Sequence, residues 1–549
     1  MVHTVALALG SNLGDRFYNL ELALRLLEVP RSVLGSKDED ASLVVVNTSF
    51  MYETAPMYVT DQPSFINCAC MIETNLLPIE LLKLIKLIES MVGRVPSIRN
   101  GPRAVDLDVI LYDNVVIDTR QSPRKELDDL EGELVIPHPR LAEREFVLRP
   151  LNDMIPDFMH PVLHRKISTL LAALAFPPEI APMQKVIPFP MCPLPVDYAF
   201  PHTSIDVVPP TLTYWTFPSF CLAARKKFER PISCRTRLMA TLNVTPDSFS
   251  DGATHNTLPA ALAYAQDAMA ACASILDVGG YSTRPGAAFV SPEEEIARVE
   301  PCIAEIRAAY PQLPISVDTF RPAVARAAVA AGANCINDVY AFTGNGSYPF
   351  TEDMLQADSA PQQCMAEMKR ISREFAVPVV LMHSRGDAGA NKDCAAYEYA
   401  GAGNAVLEAV RIELGAKVDR IVKGRGGVRR WLVIVDPGIG FSKTLEGNLE
   451  VLRDAAGITA EVYVGTGSVR ELNSLSGYPQ LIGPSRKSFL GAILEKASGR
   501  KTEPKERQWA TATAVACAVQ QGALLVRVHD AREMGDVVAV ANALWQISW

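Results

Sequence analysis

Two rhythms of apolar and polar residues divide the chain. Up to about residue 175, short apolar runs alternate with segments whose apolar residues recur at helical spacing. Val5–Leu9, Leu43–Asn47, Ile66–Ile72 and Leu107–Tyr112 read as strands, and Leu20–Leu27 as a helix. Pro78–Val92 reads as an amphipathic helix with proline in its first turn, where the missing N–H is not needed. This order predicts an α+β sandwich of the ferredoxin-like kind over 1–175. From about residue 231 the theme changes. Apolar runs end in polar residues and are separated by alanine-rich helical segments such as Pro259–Cys272, Glu293–Arg307 and Val324–Ala331. The runs are Leu238–Asn243, Ser274–Asp277, Ile315–Asp318, Cys335–Asp338, Val379–His383, Leu432–Asp436, Leu481–Ser485 and Leu524–His529. Eight such units predict a TIM (β/α)8 barrel over 231–549, its ligand groups at the C-terminal strand ends. Thr343–Met365 and Leu414–Arg430 exceed a minimal barrel and are assigned as surface insertions.

Between the two patterns, ten prolines fall within 177–210. Proline fixes φ and removes a backbone donor, so 176–230 reads as a semi-rigid linker, with an ordered extended arm as the alternative that Phe189, Tyr198, Phe200, Tyr214 and Trp215 favour. The chain is therefore α/β in class, with two folded regions.

Bulk composition narrows the function classes. The 549 residues are 48% hydrophobic and 21% charged, with a formal net charge of −9 and no polybasic block, which argues against a nucleic-acid partner. Eleven cysteines without C-x-x-C spacing argue against a zinc site or a disulfide framework. No apolar run approaches the ~20 residues of a membrane span. The first residues lack the features of a signal peptide, so a cytoplasmic setting is expected, or a mitochondrial one if a targeting segment lies upstream.

Candidate chemistry begins at Gly101–Asp108. Residues two apart on a strand face one side, so Asp106 and Asp108 form a carboxylate pair suited to hard cations, with Arg94, Arg99, Arg103, His138 and Arg144 as nearby basic groups. Around them stand Ala8–Gly14, Asp61-Gln62-Pro63-x-Phe65-x-Asn67, Ile136–Pro139 and Arg144–Leu148. In these motifs residues 4–170 resemble 6-hydroxymethyl-7,8-dihydropterin pyrophosphokinase. The resemblance implies ATP as a substrate and transfer of its β,γ-pyrophosphoryl group to the pterin hydroxymethyl oxygen. It also implies two magnesium ions on Asp106 and Asp108, with Arg103 catalytic beside them. Arg94, Arg99, Arg103, His138 and Arg144 would contact the nucleotide, Phe65 and Phe146 would sandwich the pterin, and Thr54 and Asn67 would read its edge. The stretch Val95–Asn100 is shorter than the family loop, which puts loop closure over ATP in question. No G-x-x-x-x-G-K-[ST] motif occurs.

The barrel carries a second set: Asn243–Gly252, Asp277–Gly286, Ile315–Thr319, Ile336–Asp338, Leu381–His383, Asp436–Phe441, Gly483–Ser488 and Arg527–Asp530. Across 237–545 this resembles dihydropteroate synthase, and each motif falls at a strand end read from the pattern. The resemblance implies that Asp318, Asn337, Asp436 and Lys487 hold the pterin. Asn243, Arg284, Arg527 and His529 would bind the pyrophosphate, with one magnesium ion on Asn243. Thr283, Pro285, Phe441 and Ser485 would shape the p-aminobenzoate pocket, and Asn243, Asp318 and Lys487 are the catalytic candidates. Asp277 reads as an anchor or a ligand group, and His383 as a core histidine or a ligand contact.

Taken together, the two resemblances imply a bifunctional folate-synthesis enzyme: a diphosphokinase whose product a synthase condenses with p-aminobenzoate, giving 7,8-dihydropteroate and pyrophosphate. They also imply small-molecule partners and a homodimer through the barrel. The alternatives are a methyltetrahydrofolate-binding methyltransferase barrel, or a non-catalytic pterin-binding remnant in one domain.

Overall fold

The computed structural model describes residues 1–35, 40–96, 98, 100–120, 133–175, 181–218, 235–245, 257–282, 288–345, 348–349, 359–397, 404–465 and 470–545. They form two compact units. The first comprises Met1–Pro188, Pro195–Ser219 and Val422–Trp431, and the second Phe189–Leu194, Phe220–Ile421 and Leu432–Trp549.

The first unit is built on a seven-stranded sheet of β1 (His3–Ser11), β2 (Leu43–Thr48), β3 (Met51–Thr54), β4 (Phe65–Thr74), β5 (Asp106–Tyr112), β6 (Gln184–Pro190) and β7 (Thr211–Pro218). Its order is β5-β1-β4-β3-β6-β7, and β2 pairs with the other end of the β4 edge that β3 occupies. Helix Glu145–Asn152 lays Val147, Leu148 and Leu151 on the sheet face that carries Ala6, Ala69 and Ile110. That face continues past the helix through Gly10, Asn67, Asp106 and Asp108, and the uncovered part becomes a cleft.

The linker reading of 176–230 is corrected over the described residues. β6 pairs with β3, placing Val186 opposite Met51, and β7 adds a further strand. Phe189, Trp215 and Phe217 are buried, and Thr211 donates its N–H and hydroxyl to Asp15 at 2.7 and 2.8 Å. The arm is ordered because its aromatics bury apolar surface, and because the ladder of β6 to β3 runs over Gln184–Val186, short of Pro188 and Pro190, which lack a donor.

The second unit is the expected barrel. Its strands are β8 (Arg237–Asn243), β9 (Ala273–Gly279), β10 (Ile315–Asp318), β11 (Cys335–Asp338), β12 (Val379–Met382), β13 (Val433–Asp436), β14 (Leu481–Ile482) and β15 (Leu525–Val528). They are parallel in the order β13-β12-β11-β10-β9-β8-β15-β14. The ring closes where Val435 bridges Gln480 and donates its N–H to Pro479 at 2.9 Å. Each run expected as a strand holds one.

One insertion is also corrected. Leu414–Val422 lie in helix Ala405–Val422, whose Leu414, Val418 and Ile421 are fully buried, and Val422–Trp431 belong to the first unit. There Gly424 donates to Val46 at 2.8 Å and Arg430 to Thr48 at 2.8 Å. Of the other stretch, Ala360–Met365 open helix Ala360–Phe375, while 346, 347 and 350–358 lie outside the described residues. No helix among the described residues is long and apolar enough to cross a membrane.

Candidate active sites

The cleft of the first unit has a volume of ≈ 690 Å³. Its geometry follows from register. On β1, Gly10 faces Asn67 on one side and Asp106 on the other, and Ala8 faces Ala69 and Asp108. Small residues on the middle strand thus leave room between the carboxylates and the Asn67 amide, which donates to Thr54 Oγ1 at 2.7 Å. Phe65 and Phe146 line the cleft, with Arg103 5.6 Å above the Phe65 ring and Arg144 5.6 Å above the Phe146 ring.

The two aspartates are electrostatically unlike. Asp106 accepts from Arg94 at 2.6 Å and pairs with Arg103 at 3.2 Å. Burial pushes its pKa up, but Arg103 and Arg94 outweigh that and hold the carboxyl below its ordinary range. Asp108 has no such pair among the described residues, and burial together with the Asp106 charge raises its pKa. Two carboxylates that oppose each other's ionisation are suited to sharing a cation. The donor set fits magnesium, which commonly takes one or two carboxylates and completes its shell with phosphate oxygens and water. Among the described residues there is no cluster of three or more His, Cys, Asp or Glu that could hold a metal.

The remaining candidates divide. Arg94, Arg103, Arg144, Thr54 and Asn67 stand on the cleft wall with the aspartates and the aromatics. His138 is buried and lies off that wall; its N–H donates to Ile110 at 3.0 Å, and burial lowers its pKa. Arg99 lies outside the described residues. Glu89 was not foreseen. It is buried in helix Pro78–Val92, accepts from Leu107 N–H at 2.9 Å and pairs with Arg94, so it orients a residue of the cleft. A charged residue on an otherwise apolar helix stripe was its only sequence signal.

The barrel cavity, ≈ 330 Å³, opens at the C-terminal strand ends and is lined by Asn243, Asp318, Asn337, Asp436, Phe441, Ser485, Lys487, Arg527 and His529. Beneath it, Asp277 is fully buried and accepts from Arg527 Nε at 2.6 Å and from Asn337 Nδ2 at 3.1 Å. Arg527 Nη2 donates onward to Asp318 at 2.7 Å. Four strand-end residues therefore form one chain, Asn337–Asp277–Arg527–Asp318. Burial pushes Asp318 up to about 7, against the opposing pull of Arg527 and with a further push from Asp277. Asp436 is pushed up to about 6 by burial, although Gly438 N–H and Lys487 draw it back. Carboxyls poised in this range can present either a donor or an acceptor to a heterocycle's edge.

The opposite wall is basic and aromatic. Lys487 Nζ stands 4.2 Å from the Phe441 ring centroid. Gly440 has φ +80°, and a Cβ there would lie 2.7 Å from Lys487 Cδ, so both backbone and space demand glycine. His529 Nδ1 lies 3.0 Å from Ser485 Oγ, which also accepts the His529 N–H at 3.3 Å. Ser485, expected beside p-aminobenzoate, is thus hydrogen-bonded to His529, which was expected beside the pyrophosphate. Thr283, Arg284 and Pro285 lie outside the described residues. His383 is buried off the cavity wall, between Glu413 at 2.8 Å and Lys443 at 3.0 Å. Tyr281 also lines the wall, and Lys443 and Glu413 gave no local motif to flag them.

Comparison with known proteins agrees with this division. Residues 239–529 match the family model described as pterin binding enzyme, and 6–156 the one described as 7,8-dihydro-6-hydroxymethylpterin-pyrophosphokinase. The chain is 35% identical over 542 residues to the folic acid synthesis protein fol1 of Pneumocystis carinii, covering 99% of this chain and 60% of that protein's length. It is 33% identical over 546 residues to the mitochondrial folate synthesis bifunctional protein of Arabidopsis thaliana, covering 99% of this chain and 83% of the relative. The fold of the Plasmodium falciparum HPPK-DHPS triple mutant with pteroate is shared with a TM-score of 0.67 at 18% identity, over 100% of this chain and 96% of that one.

Proposed function

Because the chain belongs to the family of bifunctional folate-synthesis proteins, joining a hydroxymethylpterin pyrophosphokinase region to a pterin-binding enzyme region, we propose that it carries out two consecutive steps of folate synthesis. In the first cleft, the hydroxymethyl oxygen of 6-hydroxymethyl-7,8-dihydropterin forms a bond to the β-phosphorus of ATP. The bond from that phosphorus to the AMP oxygen breaks, AMP leaves, and the hydroxyl proton is released. Phosphoryl-type transfer is chiefly positioning and charge neutralisation. Asp106 and Asp108 would hold magnesium, which supplies charge neutralisation on the phosphates when bound. Arg94, Arg103 and Arg144 face the same space and are assigned to the nucleotide. Phe65 and Phe146 are assigned to the pterin faces, and Thr54 and Asn67 to its edge.

In the barrel, the pterin pyrophosphate loses its C–O bond, pyrophosphate departs, and the amine nitrogen of p-aminobenzoate forms the new C–N bond and gives up a proton. Asp318, Asn337, Asp436 and Lys487 are assigned to the pterin, and Asn243, Arg527 and His529 to the pyrophosphate. A cation on the Asn243 amide oxygen would draw its remaining ligands from pyrophosphate and water. Ser485, bonded to His529, is assigned to the pyrophosphate side, and Phe441 to the arylamine. Arg527 has a double assignment: it neutralises Asp277 beneath the cavity and Asp318 on its wall, and its charge favours the departing anion.

The observation that carries the reading is the chain Asn337–Asp277–Arg527–Asp318 beneath a cavity rimmed by Asn243, Lys487 and His529. It supplies a hydrogen-bonding floor for a heterocycle and a polar, basic exit for an anion in one space. The test is incubation with magnesium, ATP, 6-hydroxymethyl-7,8-dihydropterin and p-aminobenzoate, with dihydropteroate measured by mass. Product requiring all four supports both assignments. Product only from supplied pterin pyrophosphate removes the first, and none from either removes the second. A homodimer through barrel helices is part of the same proposal, checked by solution mass.

A further inference from the structure

The loop after β13 walls the barrel cavity through Ile439, Gly440 and Phe441. Its backbone takes positive φ at Gly438 (+71°), Gly440 (+80°) and Ser442 (+49°). A path of this kind persists only where its surroundings hold it. Behind it lies Lys443, only 4% exposed. Its Nζ is 3.0 Å from Gly438 O, 3.2 Å from Phe441 O and 3.0 Å from His383 Nδ1. An ammonium has three N–H donors, and each has an acceptor here. None of those acceptors is a carboxylate. Negative charge reaches the lysine through a neutral ring: His383 Nε2 lies 2.8 Å from Glu413, which is also held by Arg385 and Tyr397. Glu413 can only accept, so Nε2 carries the hydrogen and Nδ1 accepts from Lys443. The loop is also seated directly on this histidine, since a Cβ on Gly438 would lie 2.1 Å from His383 O.

We infer that Lys443 is a positioning residue for the second reaction, fixing the Gly438–Phe441 loop and thereby the place of Phe441, the residue assigned to the arylamine. The inference rests on the synthase reading of the barrel. Lys443 bonds Phe441 O itself, so a shift of the loop moves Phe441 first and reaches Lys487 only through its packing on Phe441 and Gly440. The carboxylates of the pterin floor are held differently. Asp318 is fixed through Arg527, as Asn337 is through Asp277, while of the residues assigned to the pterin Asp436, which accepts from Gly438 N–H at 2.7 Å, and Lys487 meet the loop. Loss of Lys443 therefore bears on the arylamine more than on the pterin.

The test supplies pterin pyrophosphate and p-aminobenzoate directly to the whole chain. Lys443→Met removes all three donors and is expected to raise KM for p-aminobenzoate about tenfold or more, as misplacement remote from the bond change does. Affinity for pterin pyrophosphate, whose assigned residues Asp318 and Asn337 are held away from the loop, is expected to fall several-fold less than that for p-aminobenzoate. Lys443→Gln, which keeps an N–H pair, is expected to fall between. Equal losses for both substrates, or no change in either, would overturn the role. Wild-type protein that makes no dihydropteroate would overturn the synthase reading instead.

Should the variants not fold, hydrogen exchange of the wild type decides. Burial lowers the Lys443 pKa to about 7, with Cys394, Asp436 and Glu413 raising it and Arg385 lowering it; His383 stays neutral. Protection of the Gly438–Ser442 amides, corrected for intrinsic rate, is expected to fall as pH rises from about 6 to 8.5 and the third donor is lost. Asp436 accepts more strongly once ionised, so its titration acts in the opposite direction. Protection that held or rose across this range would overturn the inference.

Discussion

Asn67 Oδ1 fills the space beside Gly10, so that a Cβ on Gly10 would stand 2.7 Å from it. The contact follows from β1 lying between β4 and β5 with Gly10 opposite both Asn67 and Asp106. Gly10→Ala must push the Asn67 amide away and strain its bond to Thr54. The expected result is a KM for hydroxymethyldihydropterin raised about 10- to 100-fold, with overpacking costing about 1–3 kcal/mol in stability. The barrel reaction, assayed with supplied pterin pyrophosphate, is expected to keep its rate. An unchanged pterin KM would remove Asn67 from the first site.

Asp108 stands beside an Asp106 that already serves two arginines, so it is the carboxylate with charge to give to a cation. Asp108→Asn keeps the shape and removes that charge. Pyrophosphoryl transfer is expected to fall at least about a hundredfold, the scale of one lost charge-stabilising group. Titration with magnesium should show weaker activation of whatever transfer remains. Activation by magnesium equal to that of the wild type would place the cation elsewhere.

The eight barrel strands were legible because each is a short apolar run that ends in a polar group, and a parallel strand covered on both faces has that pattern. The strand-end groups Asn243, Asp318, Asn337, Asp436 and Arg527 were legible for the same reason, and the structure brings them to one cavity. The arm at 184–218 was ambiguous, since proline-rich sequence with aromatics suits both a linker and an ordered extended arm, and the Met51–Val186 pairing decides. Leu414–Val422 was misread because it was taken together with the polar, glycine-containing residues up to Arg430, although Leu414, Val418 and Ile421 recur at helical spacing. The Glu413–His383–Lys443 chain spans separations of 30 and 60 residues and leaves no local pattern.

Glu89 supports the first site from the cleft wall itself. It is 3% exposed, and burial raises its pKa, while Lys86 and Arg94 and the Leu107 N–H oppose the rise. Glu89→Ala leaves the Leu107 N–H without its carboxylate acceptor and Arg94 with only Asp106 in place of two. The expected cost is about 1–3 kcal/mol of stability, the scale of an orphaned buried polar group. A rise in KM for ATP should accompany it if Arg94 contacts the nucleotide. Calorimetric melting and ATP kinetics measured together separate the two effects. Lost stability with unchanged ATP kinetics would leave Glu89 structural and Arg94 off the nucleotide.

Asp436 shows how ligand chemistry and stability oppose each other in the barrel. Burial raises its pKa from the ordinary carboxylate range to about 6. A raised carboxyl contributes stability that is complete below the unfolded pKa and is lost as pH climbs through the folded one. The window therefore runs from about pH 4 to about pH 6. Asp436→Asn removes that dependence while keeping an oxygen acceptor for the Gly438 N–H. Melting of the variant relative to the wild type is expected to improve as pH rises across the window and level off above it. The total gain should be on the order of 1–3 kcal/mol, since each pKa unit is worth about 1.4 kcal/mol. Activity should move the other way, because an amide cannot offer a pterin the two acceptor oxygens of a carboxylate. A difference in melting that stayed flat from pH 4 to 8 would mean that the Asp436 carboxyl ionises as readily in the folded chain as in the unfolded one.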